Sequence, residues 1–373
     1  MKALVATALI LLMALGGAVG WLATRADPLG GEPFVIVEID PASRPGASQA
    51  PVPSGPAPQA EAPEAPAAGD TPQHFAAVQE AAAPAAPAAP AAPEVPQGPI
   101  VLADVPDAAL VEDSRYGPLP RISADGRRPS ETYARPAREV NRPQPGEPAR
   151  IAIVVTGLGL SELATTRAIE RLPGPVTLAF GAYGQNLQGW IRSARGAGHE
   201  VMLQIPLEPF DYPDNDPGPH TLLTSLPPSE NVKRLRWLMG RFTGYTGVTN
   251  HMGAKFTAAQ EAFLPVLEEI NKRGLIYLDD GTATRSQGDT IARNIGLGFA
   301  SSQLLIDAEP SPDRIDAALD RLAALAREQG FAIGMGSALP ATIDRIAEWA
   351  RLMQDKGIVL VPVSAVVRAQ HQS

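Results

Sequence analysis

Cysteine is absent from the 373-residue chain. That absence excludes disulfide frameworks, thiolate zinc sites, iron–sulfur clusters and cysteine nucleophiles together. Histidine is scarce: His74, His199, His220, His251 and His371 are the whole supply, so imidazole chemistry draws on a very short list. Basic runs are missing and the formal net charge is -9, which argues against a nucleic-acid partner. No Gly-x-Gly-x-x-Gly follows the first apolar run of the C-terminal part, which counts against a dinucleotide site. No Gly-x-Ser-x-Gly elbow occurs either.

Proline is plentiful but confined, with 25 of 39 falling between Pro28 and Pro148. A stretch that rich in Pro and Ala buries too little apolar surface to offset its conformational entropy. One compact core is therefore expected, C-terminal, at 149–373. Residues 3–22, ALVATALILLMALGGAVGWL, carry no charge and follow Lys2. Twenty such residues cross a hydrocarbon core of about 30 Å as a helix. Positive charge at the extreme N-terminus predicts that end in the cytoplasm. Residues 1–25 thus read as a signal anchor or transmembrane helix in the inner membrane, with the C-terminal domain in the periplasm. Ala18-Val19-Gly20 offers a cleavage site that would instead release a secreted protein. Residues 26–99, including AAAPAAPAAPAAPEVP, read as a disordered Pro/Ala-rich linker with extended polyproline character. Residues 100–148 mix Leu, Ile and Tyr with turn signals and read as an irregular arm packing on the following domain.

After Pro148 apolar runs alternate with helical patterns. IAIVV, VTLAF, VMLQI, VTNHM, LIYLD, LLID, FAIGM and IVLVPV are the predicted strands. They are continuously apolar, as in strands buried on both faces of a parallel sheet. The clearest helix runs from Asp313 to Gln329, its Ile315, Leu319, Leu322 and Ala326 following the i, i+3, i+4, i+7 spacing. Thr257 and Gln260 have the spacing of a capping box. Gly198, Gly274, Gly330 and Gly357 sit where left-handed helix C-caps are wanted. Seven or eight such units predict an α/β fold, a closed or nearly closed β/α barrel.

In such barrels function collects where strands end. Those ends carry Thr156 and Gly157, Gln204 and Glu208, Asn250 and His251, Asp279 and Asp280, Asp307, and Ser337. A ring of acids, amides and one imidazole suits a carbohydrate or another polar ligand, although single Asp and Asn residues also cap loop backbone. Asp279 and Asp280, being adjacent, point to opposite sides and make a poor glycosidase pair. Arg285 and Lys255 can hold an anionic glycan or pair with rim acids.

Residues 150–366 resemble the divergent polysaccharide deacetylase family, distant relatives of the NodB-type deacetylases. The stretches that carry the likeness are IAIVVTGLGL, GHEVMLQIPLEPFDYPDNDPGPHTLL, GVTNHMGAKFT and IYLDDGTATRS. The arm segment GPLPRISADGRRPSETYARPA resembles the preface found in bacterial members. The resemblance implies a distorted, NodB-like β/α barrel and the hydrolysis of acetyl groups from cell-envelope glycans. There a divalent ion, often zinc, held by an Asp and two His polarises the acetyl carbonyl, an Asp acts as base and a His as acid. Carried onto this chain, it makes His251 and Asp279 the catalytic candidates and His251 the metal-ligand candidate. Gln204, Glu208, Asn250, Asp280 and Arg285 become the substrate-binding candidates.

The chain also departs from the family's pattern. Thr156 and Gly157 stand where the first strand usually ends in Asp-Asp, and neither is a good cation ligand. GMGSALP, with Ser337 and Leu339, replaces a late Gly-His-x-His-Pro-like motif. His199 precedes a strand and so falls at the opposite end of the barrel, while His220 sits in a Pro-rich loop. Only His251 is placed for chemistry, as ligand or acid or as a hydrogen-bonded loop histidine. Two classes of function stand side by side: an envelope deacetylase-like protein with impaired catalysis, and a non-catalytic glycan- or protein-binding pseudoenzyme in the periplasm.

Overall fold

The fold is that of a computed structural model in which residues 100–137 and 148–371 are described. The expected anchor and Pro/Ala-rich linker lie outside the described residues, as do residues 138–147 of the arm. Among the described residues no helix is long and apolar enough to cross a membrane.

The arm contributes a 3-10 turn (Ala108–Leu110), a hairpin of β1 (Val111–Ser114) and β2 (Gly117–Pro120), and the short α1 (Pro129–Thr132). Then come β3 (Ala149–Leu158), α2 (Glu162–Arg171), β4 (Thr177–Gly181), α3 (Leu187–Gly196), β5 (Val201–Leu207), α4 (Pro228–Met239) and β6 (Gly247–Met252). They are followed by α5 (Ala254–Ala258), α6 (Gln260–Lys272), β7 (Ile276–Asp279), α7 (Gly288–Ile295), β8 (Phe299–Ser301) and β9 (Leu304–Leu305). The chain closes with α8 (Pro312–Gln329), β10 (Phe331–Ser337), α9 (Pro340–Met353), β11 (Ile358–Leu360) and α10 (Val363–His371).

All the strands from β3 onward lie parallel in one sheet, ordered β8-β7-β6-β5-β4-β3-β10-β9, with β11 on the lower part of β3. The two outermost strands are separated in the chain only by Ser302 and Gln303. Ser302 N donates to Asp279 O of β7 at 2.9 Å, and Gln303 N donates to Ile333 O of β10 at 3.0 Å. The sheet therefore curls until its first and last strands are chain neighbours, the coarse form of the expected barrel.

Both faces of the sheet are apolar, which is why the strands read as unbroken apolar runs. Ile151, Ile153 and Val155 of β3 pack outward with the helices, and Ala152 and Val154 face a smaller inner core. That inner face has little room and takes Ala152, Ala179 and Ala300. Its lower end is plugged by α10, whose Val363, Val366 and Val367 join the inner core. The plug is pinned by polar contacts, Val363 N donating to Thr177 Oγ1 at 3.1 Å and Ser364 Oγ to Glu200 Oε2 at 2.5 Å. Burial raises the Glu200 carboxyl above its ordinary range.

Helix boundaries follow local chemistry. Proline opens α4, α8 and α9 at positions where a backbone N–H is unneeded. Gly198, Gly274, Gly330 and Gly357 take positive φ at the turns that follow α3, α6, α8 and α9, as their spacing predicts. Three local expectations are corrected. Thr257 caps nothing: it lies inside α5 and its hydroxyl donates to Gly253 O at 3.0 Å. Before the predicted LLID strand lies a further strand, β8. IVLVPV is not one strand, because Pro362 separates β11 from α10.

The arm packs against α4 and α6. Gly117, at φ 105°, is so close to the end of α4 that a Cβ there would stand 2.4 Å from Gly240 O. Arg273, which caps the end of α6, donates to Glu112 Oε1 at 2.9 Å and to Pro120 O at 2.8 Å.

Candidate functional site

Strand phase decides which side chains reach the mouth of the curled sheet. Side chains alternate across a strand, so those in step with the inner core continue inward at the strand ends. From Val154, Met202 and Met335 the inward positions lead to Thr156, Gln204 and Ser337. Pairing of Met202 with Gly247 and of Pro206 with His251 puts His251 on the same face. These four side chains and Gly157 meet in a cleft of about 380 Å³, walled by Leu160, Ala182, Tyr183, Pro206, Pro217 and Leu339. A larger recess of about 510 Å³ beside Arg171, Arg351 and Val359 is lined by no acid, amide or imidazole and lies at the other end of the strands.

The floor is polar and uncharged. Gln204 Oε1 accepts from Gly157 N at 3.0 Å, leaving its amide NH₂ as a donor. Thr156 Oγ1 donates to Gly336 O at 3.3 Å. Ser337 N is held by Asp307 Oδ2 at 2.7 Å, which also accepts from Thr342 Oγ1 at 2.8 Å. His251 has no hydrogen-bond partner among the described residues, and the surrounding protein lowers its pKa by desolvation, favouring the neutral ring. The hydrogen-bonded loop histidine of the sequence reading is thus not what is found. Directly after it, Met252 adopts a left-handed φ of 58°.

The other candidates do not line the cleft, and Asn250, Glu208 and Asp279 act as framework. Asn250 is buried: its Nδ2 donates to Met252 O at 2.7 Å, and its Oδ1 accepts from Asp280 N at 3.0 Å and Tyr277 OH at 3.2 Å. Glu208 is buried too, paired with Lys255 Nζ at 2.7 Å and accepting from Thr224 N and Oγ1 at 2.6 and 2.7 Å. Burial would raise its pKa, but these bonds outweigh it and hold the carboxyl below its usual value. Asp279 accepts from Gly281 N at 2.9 Å and Ser286 Oγ at 2.6 Å, and so fixes the loop after β7. Asp280 continues the inward phase of Leu278 without lining the cleft. Its carboxyl is raised by burial and then by Asp279, despite bonds from Thr282 N and Oγ1 at 2.9 and 2.8 Å. Arg285 stands over the Phe210 ring at 5.7 Å, beside a separate recess.

His199 and His220 are framework groups. His199 is buried between Val176 O at 2.8 Å and Ile169 O at 3.4 Å, at the structural end where the sequence places it. The ring of His220 lies flat on Trp237, centroids 3.6 Å apart, and its backbone N–H donates to Tyr183 OH at 3.1 Å.

The donor set does not fit a zinc site. The cleft offers one imidazole and no carboxylate. Among the described residues no three His, Asp or Glu side chains converge to hold an ion. The first strand supplies no ligand: Thr156 and Gly157 carry no carboxylate, and between Val155 and Leu158 the pairing of β3 with β4 is interrupted, with Gly157 at φ 79° inside this bulge.

Residues 153–367 match the divergent polysaccharide deacetylases over more than half the chain. The chain belongs to that family. A crystal structure of the Agrobacterium tumefaciens C58 protein ATU2773 is 45% identical, with a TM-score of 0.64, covering 67% of this chain and 99% of that one. The Escherichia coli K12 protein YibQ is 23% identical over 220 residues, 59% of this chain and 66% of YibQ, slightly under two thirds of its length. A Haemophilus influenzae protein is 21% identical over 196 residues, 52% of this chain and 69% of its own. Membership explains the curled α/β sheet and the cleft at its strand ends.

Strand phase separates Asn250 and Asp279 from the cleft residues, while Glu208 and Asp280 keep the inward phase past the strand ends without lining the cleft. Gln204 and His251 come together with Thr156 and Ser337, whereas Glu208, Asn250, Asp279 and Arg285 do not line the cleft. Strand-end reading alone missed Leu160, Tyr183 and Pro217, which reach the cleft from loops and carry no strand signal.

Proposed function

We propose that this member of the deacetylase family binds acetylated envelope glycans without metal-assisted hydrolysis, tethered on the periplasmic side of the inner membrane by its N-terminal segment. One observation carries the reading: the cleft floor contains Thr156 and Gly157, and no carboxylate, where the family's chemistry needs a base and a cation ligand. Without them the set of base, acid and metal is incomplete. What is left suits recognition. The Gln204 amide, the Ser337 and Thr156 hydroxyls and the neutral His251 ring supply donors and acceptors for sugar hydroxyl and acetamido groups. Leu160, Ala182 and Leu339 offer apolar contact to a sugar face or acetyl methyl.

A second reading, slow hydrolysis with His251 as a lone general base, draws support from the unpartnered neutral imidazole. One experiment separates the two. The purified domain is titrated calorimetrically with N-acetylated chito-oligosaccharides, acetate release is followed, and bound zinc is measured by elemental analysis. Saturable binding that weakens in Gln204→Ala, with no acetate and no stoichiometric zinc, is the expected outcome. Acetate release abolished by His251→Ala would overturn the binding-only reading, and stoichiometric zinc would do the same.

A further inference from the structure

The loop after β7 carries a cation that the cleft does not use. Asp279 accepts from Ser286 Oγ at 2.6 Å, and Gln287 N donates to Thr257 O at 2.8 Å. Arg285, next to both anchors, is therefore presented from a braced loop. Its guanidinium lies over the ring of Phe210, which is 59% exposed and follows the end of β5. No carboxylate pairs with Arg285 among the described residues, although the neighbouring loops are rich in acids. Most of those acids are engaged locally: Asp211 with Asn215, Asp216 with Gly218 N and Thr221 Oγ1, Asp280 with Thr282, and Asp279 with Gly281 and Ser286. Asp214 is exposed in the loop after Phe210 and pairs with no cation among the described residues. Between the two loops lies a recess of about 420 Å³ lined by Phe210, Ala258, Thr284, Arg285, Ser286 and Gln287.

From this geometry we infer a second glycan subsite on the same rim, selective for a sugar that carries a carboxylate. The inference rests on the glycan-binding reading and names its substrate class. The chemistry of the three parts fits one ligand. An exposed aromatic ring takes the apolar face of a pyranose, a guanidinium takes a carboxylate in two parallel hydrogen bonds, and Thr284 and Gln287 serve ring hydroxyls. Arg285 already stands over the Phe210 ring at 5.7 Å, so less of its side-chain freedom is lost when the anion binds. The two loops leave the C-terminal ends of β5 and β7, so one oligosaccharide lying along the rim meets both this recess and the cleft.

The test compares two oligosaccharides of equal length by calorimetry: a neutral N-acetylhexosamine oligomer, and one alternating N-acetylhexosamine with uronic acid. The full domain is used, with Arg285→Gln, Arg285→Lys, Phe210→Ala and Gln204→Ala variants, the first three altering exposed side chains. The acidic oligomer is expected to bind about tenfold more tightly than the neutral one, the worth of one charge-assisted bidentate contact. Arg285→Gln should erase that difference and leave the neutral oligomer's affinity unchanged, and Arg285→Lys should recover part of it. Phe210→Ala should weaken the acidic oligomer, and added salt should lower its affinity alone. Equal affinities, with the neutral oligomer still sensitive to Gln204→Ala, would overturn the subsite while the cleft reading stands. No binding of either oligomer overturns both. An acidic peptide that binds as tightly as the acidic oligosaccharide, and with the same dependence on Arg285, overturns the sugar selectivity.

Discussion

The carboxamide of Asn250 donates to the carbonyl of Met252 at 2.7 Å and closes the left-handed turn that follows His251. The same side chain accepts from Asp280 N and Tyr277 OH, so it ties the end of β6 to the end of β7. A non-glycine residue with φ 58° is uncommon and persists only where neighbours hold it. Asn250→Asp tests this role with almost no change of shape. A carboxylate there still accepts two bonds but faces the Met252 carbonyl without a proton. The substitution should cost about 2–4 kcal/mol at pH 8 by urea unfolding. Protonation restores the donor and raises the folded-state pKa of the new Asp, so the loss should shrink as pH falls through that value. A cost that stays constant between pH 8 and pH 5 would sink the argument.

Much of the barrel was legible because its physics is local. Strands buried on both faces leave continuous apolar runs, and glycine C-caps mark where each helix stops. Shorter or hybrid pieces escaped. β8 is three residues long, and the valine-rich stretch Val361 to Val367 conceals a helix that starts after Pro362. Thr257 and Gln260 had capping-box spacing, but α5 and α6 meet there and the Thr257 hydroxyl turns back to Gly253 O. At the site the sequence marks strand ends but not strand phase. Asn250 and His251 are adjacent and equally polar, yet one is buried framework and the other lines the cleft. Anchoring the two-residue period on the buried Met202 separates Gln204 and His251 from Asn250 and Asp279.

The arm depends on one buried carboxylate. Glu269 accepts from Arg236 through both oxygens at 2.8 and 2.9 Å and from Arg273 Nε at 2.6 Å, while Arg273 reaches Glu112 and Pro120 of the hairpin. Burial raises the Glu269 pKa, but the two guanidiniums outweigh it and hold it below the ordinary value. Its contribution to stability is therefore complete above pH 4.5 and is lost as pH falls through the depressed folded-state value. Glu269→Ala leaves the half-buried Arg236 without its carboxylate and the buried Arg273 with Glu112 alone, and should cost about 3–5 kcal/mol. Limited proteolysis should then cut within 100–137 before the barrel. An arm that stays resistant would show that apolar contacts such as Leu110 and Leu119 suffice to hold it.

His199 makes the opposite end of the barrel sensitive to mild acid. Its burial lowers the pKa, assisted by Arg135 and opposed by the bonds to Val176 O and Ile169 O. The unfolded chain binds the proton more readily, so stability is lost as pH falls from the ordinary value of 6.5 toward the folded one. Urea midpoints measured from pH 7.5 to pH 5 should slope downward in the wild type and less steeply in His199→Gln. Equal slopes would assign the acid sensitivity to other groups.

Gly157 stands where the first strand could take an acid at small cost. A Cβ added at Gly157 would meet nothing within 4 Å, so space is not the obstacle. The backbone is a small obstacle for an acid and a larger one for other types: φ is 79° inside the bulge of β3, a region that Asn and Asp enter at modest cost and β-branched residues avoid. Gly157→Asp should therefore fold, with a penalty of about 1 kcal/mol, or roughly 2–4 °C in Tm for a domain of this size. Gly157→Val should lose clearly more. Thr156→Asp keeps an ordinary strand conformation and adds one carboxylate to a cleft that already contains His251. The double variant Thr156→Asp/Gly157→Asp should then stay below stoichiometric zinc, because the bulge leaves the new acids and the imidazole without the convergent geometry that tetrahedral coordination demands. Tight stoichiometric zinc in that variant would mean that the cleft kept its metal geometry and differs from a working deacetylase only in side chains.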